Sequence, residues 1–137
     1  MVKSRKVVLV VDDEAGMRDM LSWSLEMSEY DVVTAHDGEV AAAFIAAGGV
    51  DLVITDVAMP RLGGFGLLVI AARTVPRTPV IMMTGFGTVE MAVHAMRLGA
   101  SDFLLKPFDA GRLAARIQET LRARRGSAAP FGAGRRR

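Results

Sequence analysis

The chain has 137 residues, half of them hydrophobic, which suits one folded domain with one packed core. It contains no cysteine, so disulfides, thiolate metal sites and cysteine nucleophiles are excluded, in keeping with a reducing cytoplasm. The net charge of +2 hides an asymmetry: residues 1–111 hold nine Lys/Arg against fourteen Asp/Glu, whereas residues 112–137 hold eight Arg against one Glu. The N-terminal Met1–Lys6 is short and basic, and the apolar stretch after it stops at Asp12, too soon for a secretory signal. No apolar run approaches the roughly 20 residues that a bilayer requires.

In chain order, Val7–Val11 is a continuous β-branched run, expected as a strand buried on both faces. A helix follows over about Glu14–Ser28, with Met17, Met20, Leu21 and Leu25 at helical spacing on one side. Val32–Ala35 reads as a shorter edge strand. Asp37 caps a helix to about Ala47, which Gly48-Gly49 stops. Leu52–Thr55 is a third strand, and a helix over about Phe65–Thr74 follows Gly63-Gly64. Val80–Met83 is a fourth strand. Thr88 caps a helix in which Val89, Ala92, Val93 and Met96 share a face, and Gly99 closes it. Phe103–Leu105 is a fifth strand. Asp109 caps a last helix with a stripe of Leu113, Ile117 and Leu121. Residues 1–125 are expected to fold, and residues 126–137 to form a flexible basic tail or linker.

Five strands, each followed by a helix, predict a doubly wound, flavodoxin-like α/β domain: a parallel sheet of order 2-1-3-4-5 with helices on both faces. In such sheets ligands bind beyond the carboxyl ends of the strands, where the winding reverses. The residues there are Asp12-Asp13-Glu14 after strand one, Asp56 after strand three, Thr84-Gly85 after strand four and Lys106-Pro107 after strand five. Strands one and three are neighbours in this order, so Asp12, Asp13 and Asp56 should meet. Three carboxylates in a small volume protonate or take up a cation, because like charges disfavour ionisation. Few protein carboxylates with retained waters suit Mg²⁺. Lys106 adds a mobile positive charge, Thr84 a hydroxyl, and Gly85 a close backbone approach. Together they form a receptor for a phosphoryl group, within which an aspartate can act as nucleophile. Asp12 or Asp13 could also cap the first helix. His36 and His94 lack metal-ligand spacing, and the nine methionines fall mostly at core positions.

Four segments carry a family resemblance: Val8-Leu9-Val10-Val11-Asp12-Asp13-Glu14; Asp56-Val57-Ala58-Met59-Pro60 with Gly64 after it; Met82-Met83-Thr84-Gly85; and Lys106-Pro107-Phe108. Each is weak alone, but in this order at successive strand ends they are specific. From about Lys6 to Arg124 the chain resembles a two-component response-regulator receiver domain. The run Thr84–Asp109 is most similar to receivers of bacterial sigma-54-dependent activators.

The resemblance implies that Asp56 is the phosphoacceptor. It implies that Asp13 ligates Mg²⁺ directly, Asp12 acts near it through water, and the Ala58 backbone carbonyl completes the protein's ligands. Lys106 would pair with the acyl phosphate, and Thr84 would hydrogen-bond to a phosphoryl oxygen. Phe103 would turn inward as Thr84 shifts. The fourth helix, fifth strand and fifth helix would then change as one signalling face, which could also pair two receivers. The donor would be a histidine kinase or phosphotransfer protein, with no membrane partner. Nucleic acid would be reached only through an output domain outside this chain. Gly63 stands where many receivers have Asp, and Phe103 where Tyr is commoner. Ala58 and Phe86 border the path of an attacking water and so bear on phosphoryl lifetime.

Other functions fit less well. A haloacid-dehalogenase-type phosphatase needs a second Asp two residues after the nucleophile, where this chain has Ala58. A nucleotide or flavin domain would need a glycine-rich loop in place of Asp12-Asp13-Glu14. A DNA-binding protein would need a reading element beside its arginines. The domain is therefore expected to assist only its own phosphorylation and dephosphorylation, not to act as an independent enzyme.

Overall fold

A computed structural model describes residues 4–106 and 109–127. Pro107, Phe108 and the tail beyond Ser127 lie outside the described residues, so the expectations placed on them do too. The elements run β1 Val7–Val11, α1 Ala15–Met27, β2 Asp31–Ala35, α2 Gly38–Ala47 and β3 Leu52–Asp56. They continue with α3 Gly64–Ala72, β4 Val80–Thr84, α4 Val89–Arg97, β5 Asp102–Leu105 and α5 Ala110–Ser127. All five strands are parallel, in the order β2-β1-β3-β4-β5. The strand runs read from the sequence are recovered: β1 has the expected bounds, and each of the other four is extended by one residue at one end. α5 continues two residues past Arg125.

The period-2 alternation of strand side chains divides the interior into two layers. On one face, Val8, Val10, Leu52, Ile54, Ile81, Met83 and Leu104 pack with Leu21 and Leu25 of α1 and Leu113 and Ile117 of α5. On the other, Leu9, Val11, Val53, Val80 and Met82 pack with residues of α2, α3 and α4, including Ala41, Ile45, Leu67, Leu68, Ala71 and Ala95. The central strands β1, β3 and β4 are covered on both sides, which is why their sequences lack polar alternation.

Two local expectations are corrected. Met20 is half exposed, outside the buried stripe of Leu21 and Leu25, because the stripe is narrower than the run of apolar residues. Neither Asp12 nor Asp13 caps α1. Glu14 holds the N-cap position without a side-chain bond, while Asp12 Oδ1 accepts from the Glu14 amide at 2.9 Å. The methionines divide: Met82 and Met83 are core, whereas Met20, Met27 and Met96 are at least half exposed.

Capping by Asp37, Thr88 and Asp109 stands. Asp37 Oδ1 accepts from Val40 N at 2.9 Å, Thr88 Oγ1 from Met91 N at 3.1 Å, and Asp109 Oδ1 from Arg112 N at 2.6 Å. The left-handed backbone at Gly48 and Gly49, φ 84° and 89°, ends α2 where two glycines permit it. The shared face of Val89, Val93 and Met96 on α4 exists but turns to solvent. The core side of that helix is Ala95.

Candidate functional site

Strand register assembles the site. Val11 of β1 pairs with Thr55 of β3, so the next residues, Asp12 and Asp56, stand side by side. Asp56 pairs with Met83 of β4, and Thr84 with Leu105 of β5, so Thr84 and Lys106 emerge on the adjoining strands. The Lys106 amide donates to Thr84 O at 2.8 Å, which fixes where its side chain departs.

Asp12, Asp13 and Asp56 each place a carboxylate oxygen within 4.8 Å of the other two. Asp12 is fully buried, Asp56 partly buried and Asp13 exposed. Lys106 closes the cluster: its Nζ donates to Asp12 Oδ2 and to Asp56 Oδ2, both at 3.1 Å. Burial works against the Lys106 charge, but the hydrogen bonds to Asp12 and Asp56 and their negative charges outweigh it. The ammonium is held above the usual lysine range and stays charged at neutral pH. One cation against three carboxylates still leaves the cluster electron-rich. Clustered oxygen donors, one open to solvent, fit a hard divalent ion that keeps part of its water shell.

Thr84 is buried, and its Oγ1 accepts from the Phe86 amide at 3.1 Å. Phe103 is half buried and packs against the α2–α4 layer of the core. Ala58 is exposed, and Phe86 is almost wholly exposed. His36 is mostly exposed beside Asp37, and the His94 ring lies 5.0 Å from that of Phe65.

Two glycines matter more than their sequence context suggests. A Cβ on Gly64 would stand 2.5 Å from the backbone oxygen of Asp56, so only glycine lets α3 begin against the end of β3. A Cβ on Gly87 would meet Leu105 Cδ2 at 2.2 Å, and Phe103 Cε2 and Thr84 Cγ2 at 3.2 Å. Gly87 thus fills the gap between the two expected switch residues. Its sequence signal is slight, a glycine one residue before the Thr88 cap.

Residues 8–118 match the family model for the response regulator receiver domain. The chain belongs to that family. The receiver domain is 41% identical over 119 residues to a probable transcriptional regulator ycf27 of Cyanophora paradoxa, with 87% of this chain and 49% of that protein aligned. It is 42% identical over 123 residues to the nitrogen assimilation regulatory protein NtrX of Azorhizobium caulinodans, covering 86% and 27% of the two chains. Among solved structures it superposes on a CheY-like receiver domain protein from Methanospirillum hungatei with a TM-score of 0.86 and 29% identity, covering 91% of this chain and all of the other.

The chain thus spans about half the length, or less, of the curated relatives it matches. These relatives do not single out one class of regulator, so a CheY-like two-component receiver is the level at which the family is shown. Receivers are phosphoacceptor domains served by histidine kinases or phosphotransfer proteins and are not independent enzymes. Among the described residues no helix is long and apolar enough to cross a membrane.

Proposed function

We propose that Asp56 is the residue of this receiver that accepts the phosphoryl group, from a phosphohistidine of a kinase or phosphotransfer protein. The observation that carries this is the Lys106 ammonium, at 3.1 Å from both Asp12 and Asp56 where three carboxylates converge. An Asp56 carboxylate oxygen attacks phosphorus, the P–N bond to the donor histidine breaks, and its electron pair leaves on the imidazole. Lys106 turns from the Asp56 carboxylate to the new phosphoryl oxygens, still tied to Asp12. Thr84 Oγ1 exchanges its contact with the Phe86 amide for one to a phosphoryl oxygen. Phe103 then packs more deeply into the space Thr84 leaves.

Mg²⁺ suits the donor set, with Asp13 as a direct ligand, Asp12 near it through water, Asp56, and the Ala58 carbonyl. It would neutralise charge on the transferring group. The same reading gives residues 1–125 to the receiver and 126–137 to a basic tail or linker, and places the protein in the cytoplasm. It assigns the face of α4, β5 and α5 to output, including pairing with a second receiver, with any nucleic-acid contact made by an output domain outside this chain. The run Thr84–Asp109 supports placing it with receivers of sigma-54-dependent activators.

Incubation with Mg²⁺ and a small acyl-phosphate donor, read by intact mass, tests the acceptor. Native protein should gain one phosphoryl group and Asp56→Asn none. An equal adduct on both would sink the assignment. Asp13→Ala should weaken Mg²⁺ binding at least tenfold, and an unchanged Mg²⁺ titration would count against the shared site.

A further inference from the structure

The loop between β3 and α3, residues 57–63, carries Ala58 and is tied to a helix that contributes nothing to the acidic cluster. Arg61 has a left-handed backbone, φ 68°, which a non-glycine residue keeps only when its surroundings hold it there. Its guanidinium spans to the start of α2: Nε lies 3.5 Å from Asp37 Oδ2, and Nη1 3.4 Å from Glu39 Oε1. Asp37 is buried and already engaged through its other oxygen in capping α2. The Val40 amide bond draws the Asp37 carboxyl below the usual range against the effect of burial, and the charges of His36 and Arg61 add to it. It therefore presents a full negative charge to Arg61 at neutral pH.

Backbone contact reinforces the tie. A Cβ on Gly38 would stand 1.7 Å from the carbonyl oxygen of Leu62, so the loop rests directly on the first residue of α2. Within the loop, the Gly64 amide donates to Val57 O at 2.9 Å and the Val57 amide to Met83 O at 3.0 Å. Gly63, the N-cap of α3, makes no side-chain capping bond, so the loop lacks the anchor an acidic residue there could supply.

We propose that Arg61 and Asp37 are positioning residues that clamp the β3–α3 loop to α2 and so set where the Ala58 carbonyl is presented to the metal. The metal half of this statement rests on the reading of Ala58 as a ligand. The clamp itself does not. An exposed ion pair adds little to global stability, and Arg61 is largely exposed. Its effect is local order of the loop.

The test uses the whole chain and two readouts. Arg61→Asn keeps a residue tolerant of the left-handed backbone but removes the guanidinium. Asp37→Asn keeps a good helix cap but removes the charge. In metal-free protein, amide exchange at Gly64 should quicken about threefold or more in either variant, a change matched to an exposed pair. Exchange at the capped Val40 amide should stay as in native protein in Arg61→Asn, which leaves the Asp37 cap intact. The double variant should be no faster at Gly64 than Arg61→Asn alone, since that variant already removes the guanidinium's contacts to both Asp37 and Glu39. The Mg²⁺ dissociation constant should rise by a similar factor in all three.

Native exchange at Gly64 in Arg61→Asn, or effects that multiply in the double variant, would overturn the clamp. Faster exchange with unchanged Mg²⁺ affinity would overturn its link to the metal. A native protein that binds no Mg²⁺ would instead discard Ala58 as a ligand, and with it the metal half of the proposal. The exchange arm would still decide the clamp.

Discussion

α3 and α4 flank the same strand end and are built in opposite ways. α3 enters through Gly64 against the backbone of Asp56 and buries Leu67, Leu68 and Ala71. α4 buries only Ala95, and it turns Val89, Val93 and Met96 outward beside the exposed Phe86 and Leu105. Asp56, the proposed acceptor, therefore stands between a firmly seated side, which ends in the β3–α3 loop, and a lightly seated side, which begins at Thr84. A helix with few buried contacts opens at low free-energy cost, and conformational change is drawn from such elements. The contrast teaches that one charge change at Asp56 need not loosen the whole domain. Its position is fixed on the α3 side, and its effect can be read on the α4 side.

The largest expected difference is energetic. Leu67→Ala should cost about 2–5 kcal/mol, as for other buried leucines, whereas Val93→Ala should stay within about 0.5 kcal/mol. Urea unfolding of both variants measures this, and equal losses would break the comparison.

A second prediction concerns the site between the helices. In metal-free protein, Asp13→Asn should stabilise the fold by about 1 kcal/mol, because it relieves like-charge repulsion in a partly exposed cluster. Added Mg²⁺ should raise the melting temperature of native protein more than that of the variant. A variant no more stable than native without metal would show that Lys106 already balances the cluster.

The smallest effect is pH-dependent and belongs to the α2 side. The Asp37 carboxyl is held low by the Val40 amide against burial, with His36 and Arg61 adding to it. A depressed folded-state value contributes stability above the unfolded value, near pH 4, that is lost as pH falls through the folded one. Asp37→Asn should therefore flatten the fall in melting temperature below about pH 4. An unchanged acid profile would remove Asp37 from the account.

The sheet and its site were legible in the sequence for a shared physical reason. Strands buried on both faces appear as uninterrupted apolar runs, and the polar residue that ends each run must lie at the sheet's carboxyl edge. Val7–Val11 followed by Asp12-Asp13, Leu52–Thr55 by Asp56, Val80–Met83 by Thr84 and Phe103–Leu105 by Lys106 together contain the site. The orientation of α4 was not legible in the same way. Helical spacing shows that Val89, Val93 and Met96 share a face, but not that the sheet receives Ala95 instead.

The ties around the loop were also hidden. Arg61 looks like an ordinary loop cation, and its left-handed backbone and its reach to Asp37 depend on residues far apart in sequence. Gly38 and Gly87 give little local sign of the contacts that a side chain there would violate.

Amide exchange across the chain, compared between unmodified protein and protein phosphorylated on Asp56 in the presence of Mg²⁺, tests the central claim most directly. Protection should change chiefly from Thr84 through α4 to Leu105, with Gly38–Ala47 and Gly64–Ala72 close to their unmodified values. Changes spread equally over both sides, or confined to α2 and α3, would contradict it.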